Sequence, residues 1–201
     1  MKLFKPRTWI QATLLAVPVV AAQVTLSQLQ AGLGLHPLSA AVAQEKKGPD
    51  TRETRRTPAL RNNVYEKLAK AQEAAEAKDM SGAASILDEM ISSGGKGALN
   101  SYELANVYNL YAFIYYSRED YAKALKAYEE VISQPDIPLA MEINTKYTIA
   151  QLYFVQEQWQ KGIDALLSWF KLTDKPNANA YVLLAQGYYQ VQDYDKALQN
   201  V

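Results

Sequence analysis

The sequence predicts an all-α fold, an α-solenoid of stacked antiparallel helical hairpins, and three observations carry that prediction. From Asn62 onward the apolar residues follow helical spacing, a four-residue pattern recurs with constant internal spacing, and no cysteine is present to staple a loop-rich alternative. About half of the 201 residues are apolar and about a fifth are charged, so the chain can bury a core without spanning a membrane throughout.

In the recurring pattern a small residue is followed three positions later by an aromatic one. A second large residue comes six further on, and a second small one three beyond that. The copies are Ala71, Ala74, Met80, Ala83; Ala112, Tyr115, Tyr121, Ala124; Ala150, Tyr153, Trp159, Gly162; and Ala185, Tyr188, Tyr194, Ala197, the first lacking its aromatics. Successive copies are 41, 38 and 35 residues apart, so the units are constant and the loops between them vary. Two helices that cross closely need this arrangement. Small side chains such as Ala112 and Ala124 permit the approach, and Tyr115 and Tyr121 fill the space around it.

Taken in order, the elements have recognisable ends. Asn63 with Glu66, and Asn100 with Glu103, have capping-box spacing at first-helix starts, and Asp79, Asp120 and Asp193 stand where second helices need an N-cap. Loops are predicted at Ser92 to Gly97, Pro135 to Pro138 and Thr173 to Pro176. Tyr108, Tyr111, Tyr115, Tyr121 and Tyr128 fall at packing positions and are expected in the core.

Ahead of the array, residues 1–43 read as an export signal: Lys2, Lys5 and Arg7, an apolar run from Ile10 to Ala22, then Ala41-Val42-Ala43 as a small-residue cleavage site. Cleavage is expected after Ala43, with Val20-Ala21-Ala22 an earlier alternative and retention a third. The continuous apolar run falls short of the roughly 20 residues a spanning helix needs, which argues against stable membrane insertion. Residues 44–60 mix charges with Gly48, Pro49 and Pro58 and read as a flexible charged linker. The single histidine, His36, lies within the segment expected to be removed.

Beyond Ala43 the chain carries 18 basic against 21 acidic side chains, a formal net charge of −3, which argues against nucleic acid as a partner. Catalysis has little to draw on. The closely set carboxylates Asp88-Glu89, Glu129-Glu130 and Asp193 with Asp195 read as solvated helix surface or helix starts. No zinc, calcium or phosphate-binding pattern occurs, so no metal, cofactor or catalytic site is expected and the protein reads as a non-enzyme. The last helical pattern stops at Val201 with its apolar positions unfinished. Further repeats are therefore expected beyond it, with fraying from Tyr194 onward.

The small-aromatic-aromatic-small copies resemble the tetratricopeptide repeat family over about 140 residues, from Asn62 to the end. Alanine stands at 112, 150 and 185 where the family favours glycine, and Gly162 replaces its usual alanine. In that family the concave groove is lined by first-helix positions two, five, nine, twelve and thirteen. The resemblance therefore implies a peptide- or protein-binding groove of Asn106, Asn109, Phe113, Tyr116 and Ser117; Asn144, Tyr147, Gln151, Phe154 and Val155; and Asn179, Val182, Gln186, Tyr189 and Gln190. Position two is Asn three times and position twelve aromatic three times, while the basic residues of the carboxylate clamp in chaperone-binding relatives are absent.

The stretches TRETRRTPALRNNVYEKLAKAQ and NSYELANVYNLYAFIYYSREDYAKALKAYEEVI, with the export signal, are further similar to periplasmic repeat proteins encoded beside TonB, ExbB and ExbD energy-transduction systems in Gram-negative bacteria. That resemblance implies a periplasmic protein-binding scaffold accessory to TonB-dependent outer-membrane transport, with TonB-system components as partners. The alternative is a structural repeat region of a larger exported protein whose activity lies C-terminal to Val201.

Overall fold

A computed structural model describes residues 57–200 of the chain. The expected export signal, its expected cleavage sites and the expected linker as far as residue 56 lie outside the described residues. Residues 57–60 are non-helical. Eight α-helices follow: α1 (Asn62–Glu76), α2 (Met80–Ser92), α3 (Ser101–Ser117), α4 (Tyr121–Ser133), α5 (Leu139–Val155), α6 (Trp159–Phe170), α7 (Ala178–Gln190) and α8 (Tyr194–Gln199), with a single 3-10 turn at Gly95–Gly97. The described residues contain no strand. Each helix packs on the next, so the pairs α1–α2, α3–α4, α5–α6 and α7–α8 stack along the chain through α2–α3, α4–α5 and α6–α7.

Every pair closes through the same three-residue turn. Lys78, Glu119, Glu157 and Gln192 have left-handed backbones, φ 65, 58, 56 and 64°, and recur at the same intervals as the sequence pattern. In the second turn Glu119 N–H donates to Tyr116 C=O at 2.9 Å and Asp120 N–H to Tyr115 C=O at 2.9 Å; the other three turns repeat both bonds within a few tenths of an ångström. This is a Schellman termination, in which the left-handed residue lets the chain reverse while orphan carbonyls of the finished helix are satisfied.

The next residue then starts the partner helix. Asp79 Oδ1 accepts from Gly82 N–H at 2.8 Å, Asp120 from Lys123 N–H at 3.2 Å and Asp193 from Lys196 N–H at 3.3 Å, as expected, while Gln158 makes no side-chain cap. The left-handed residues carry no glycine or asparagine signal, so the sequence marks the caps and not the turn that precedes them.

Of the two expected capping boxes, the one between Asn100 and Glu103 forms and the one between Asn63 and Glu66 does not. Helix α1 begins at Asn62 with Arg61 in the cap position, which places Asn63 inside the first turn. The cause is a long-range tie. Arg61 donates to Glu103 Oε1 through its main-chain N–H at 3.2 Å and Nε at 2.8 Å, and to Oε2 through an Nη at 2.6 Å. The same Nη reaches Ala98 C=O at 2.8 Å. Glu103 is fully buried, so its carboxylate joins the entry of α1 to the start of α3.

The small positions behave as close-crossing theory demands. Ala71, Ala83, Ala112, Ala124 and Ala150 are completely inaccessible to solvent. One continuous core runs from α1 to α5 around Leu87, Ile114 and Tyr128, and a second joins α5, α6 and α7 around Phe154, Leu166 and Trp169. Two glycines grip Phe154. A Cβ on Gly162 would fall 2.9 Å from its ring, and one on Gly187 would fall 2.6 Å from it and 2.9 Å from Ile163.

The expected tyrosine core is corrected in part. Tyr111 and Tyr128 are buried, but Tyr108, Tyr115 and Tyr121 are only half-buried. At Tyr115 the reason is visible, because Lys123 Nζ lies 5.6 Å from the ring centre. Lys161 over Tyr153 and Lys196 over Tyr188 repeat the contact at 5.8 and 5.3 Å, so this position meets a lysine of the partner helix at the surface in three hairpins.

A candidate protein-binding face on the first helices

The implied groove residues all lie on α3, α5 and α7, the first helices of their pairs. Their environments divide them. Asn109, Phe113 and Phe154 are 8, 6 and 7% exposed and belong to the interior, which corrects their placement on an open face. A first helix is covered by its own partner and by the neighbouring pair, and Phe154 is drawn inward because Gly162 and Gly187 leave space for a ring. Tyr116, Tyr147, Gln151 and Gln186 are half-buried. Asn106 is half-buried as well, and its Nδ2 donates to Tyr102 C=O at 2.7 Å within its own helix. Ser117, Asn144, Val155, Asn179, Val182, Tyr189 and Gln190 are exposed.

The recurring aromatics have a structural task that the sequence reading missed. Tyr116 meets Tyr121 at 5.4 Å between ring centres, Phe154 meets Trp159 at 6.2 Å, and Tyr189 meets Tyr194 at 5.5 Å. Each pair spans the three-residue turn and closes its hairpin. The signal was present in the sequence: an aromatic five residues after another, across a helix boundary, in three copies. Tyr147 is likewise engaged, its ring 4.7 Å from that of Trp169. Burial, and then the neighbouring Tyr121, hold the Tyr116 phenol above its ordinary pKa, and burial does the same for Tyr147. Both therefore remain hydrogen-bond donors at neutral pH.

The amides follow a different pattern. Asn144 and Asn179 occupy equivalent positions one pair apart, and both are exposed with no side-chain hydrogen bond among the described residues. A primary amide can donate and accept at once, which matches the alternating groups of a peptide main chain.

Four of the six closely set carboxylates are held by neighbours. Asp88 accepts from the Tyr111 hydroxyl, Glu89 pairs with Lys67 at 2.7 Å, Glu129 accepts from Tyr153 at 3.3 Å, and Asp193 pairs with Lys196 at 2.7 Å besides capping α8. Among the described residues no three His, Cys, Asp or Glu side chains gather as metal ligands. No helix there is long and apolar enough to cross a membrane.

No protein-family model and no curated protein sequence matches this chain.

Proposed function

We propose that this chain is a non-catalytic protein-binding scaffold of the tetratricopeptide-repeat type, which holds a segment of a partner protein along α3, α5 and α7. The observation that carries the reading is the pair of exposed amides at Asn144 and Asn179, one hairpin apart. Hairpin packing explains the recurring aromatics beside them; it leaves these amides unexplained. The array reading is supported by four identical turns at intervals of 41, 38 and 35 residues. Gln151 and Gln186 occupy one equivalent position seven residues further along α5 and α7, and Asn106 holds the position on α3 equivalent to Asn144 and Asn179, with its acceptor oxygen left over.

The compartment and the partner belong to the same proposal. The basic start, apolar run and Ala41-Val42-Ala43 support export to the periplasm, and the resemblance of the first two repeats supports a role beside a TonB system. N-terminal sequencing of the mature chain tests the first: a start at Gln44 supports it, and a chain in the cytoplasm that begins at Met1 refutes it. Cross-linking in the periplasm, followed by identification of the captured proteins, tests the second.

The binding reading is tested by titrating the captured partner against Asn106→Ala, Asn144→Ala and Asn179→Ala, singly and together. Each lost amide leaves a main-chain group of the ligand unpaired, about 1 to 3 kcal/mol or five- to a hundredfold in affinity, with unfolding curves little changed. Binding unaffected by the triple replacement would place the partner elsewhere on the protein.

A further inference from the structure

From the second pair onward, charge is sorted between the two helices. Helix α4 exposes Lys123, Lys126, Glu129 and Glu130, and α6 exposes Lys161 and Asp164. The first helices differ. In α3 the one charged residue is Glu103, buried against Arg61; in α5 the two are Glu142 and Lys146, paired with each other at 2.8 Å; and α7 has none. Helix α1, with Glu66, Lys70, Glu73 and Glu76 exposed, ends the pattern on the N-terminal side. The fifteen implied groove positions on α3, α5 and α7 hold no charged residue at all.

These helices also expose apolar side chains. Val155, Val182 and Tyr189 are 42, 60 and 54% exposed, on the same helices as the exposed amides Asn144, Asn179 and Gln190. A charged ligand side chain seated at these positions would shed water and find no opposite charge among them, which is costly, whereas apolar side chains would cover the valines and main-chain groups would pair with the amides.

We infer that the occupant of this face is an uncharged segment of a partner polypeptide, held by main-chain hydrogen bonds and apolar contact and not by ion pairing. The inference rests on the binding reading above and specifies its ligand class.

The test is a random peptide display selection on the full chain, with Val182→Lys as the paired variant, since Val182 is already well exposed and tolerates a lysine. Recovered sequences should be depleted in Asp, Glu, Lys and Arg relative to the input library. A synthetic recovered peptide should keep its affinity within about twofold between about 50 and about 500 mM salt, because screening has no ion pair to weaken. It should lose at least about tenfold against Val182→Lys. Recovery of charged sequences, or an affinity that falls steeply with salt, would leave peptide binding standing and overturn the inference. Failure to recover any sequence, with light scattering showing a dimer that Val182→Lys dissociates, would assign the face to a second copy and overturn both. Failure of recovery from a monomer would also overturn both.

Discussion

Gly187→Ala tests the joint between the third and fourth helix pairs. In a helix interior the change from glycine to alanine ordinarily stabilises by up to about 1 kcal/mol, because glycine loses more backbone freedom on folding. Here the added methyl would stand 2.6 Å from Phe154 Cε1, 2.9 Å from Ile163 Cγ1 and 3.0 Å from Phe154 Cζ. Ordinary contact begins near 3.4 Å, so the ring must retreat by most of an ångström. It has nowhere to go, since the Gly162 backbone lies against it on α6. Overpacking of this kind costs about 1 to 3 kcal/mol, which outweighs the propensity gain in most of that range. The expected result is a lower urea midpoint at unchanged slope. Phe154→Leu, which shortens the side chain, should cost stability alone yet remove most of the penalty of Gly187→Ala, so the double-mutant cycle should show a coupling of about 1 kcal/mol or more. A Gly187→Ala variant more stable than the parent, with no coupling to position 154, would refute the argument that Phe154 is clamped between two glycines.

Ala150→Leu should destabilise by about 1 to 3 kcal/mol in chemical denaturation, because the alanine is wholly buried at a helix crossing, whereas Lys126→Leu on the exposed side of α4 should change little. Glu157→Gly should raise stability by up to about 1 kcal/mol, because its φ of 56° suits glycine and strains a side chain; a loss measured by thermal unfolding would contradict the turn assignment. The hydrogen bond from Arg61, followed by main-chain bonds from Asn100 and Arg61, holds the Glu103 carboxyl below its ordinary pKa against the opposing effect of burial. Its contribution is therefore present above the unfolded value near 4.5 and lost as pH falls through the lower folded value. Glu103→Gln should cost about 1 to 3 kcal/mol at pH 7, and the difference from the parent should shrink on acidification.

How far the sequence could be read depends on which contacts repeat. Ala112 and Ala124, Tyr115 and Tyr121, and the caps at Asp79, Asp120 and Asp193 recur because each hairpin solves the same local problem, and the structure places helices and turns at those intervals. Asn63 with Glu66 had correct spacing for a cap and made none, because Arg61 was taken by Glu103, a partner 42 residues away that no local pattern reveals. Asn109 and Phe154 shared register positions with the exposed Val182 and Tyr189, and Phe113 with the half-buried Gln151 and Gln186, yet all three were buried.

The sequence by itself determined that this protein is helical, paired and repeated, since a helix crossing imposes its spacing on the residues of one hairpin. Only the tertiary structure decided which equivalent positions face solvent. Burial of a first-helix side chain depends on the pair stacked beside it, and on whether that pair offers a glycine, as at Gly187 against Phe154, or leaves the surface open, as at Asn144 and Asn179.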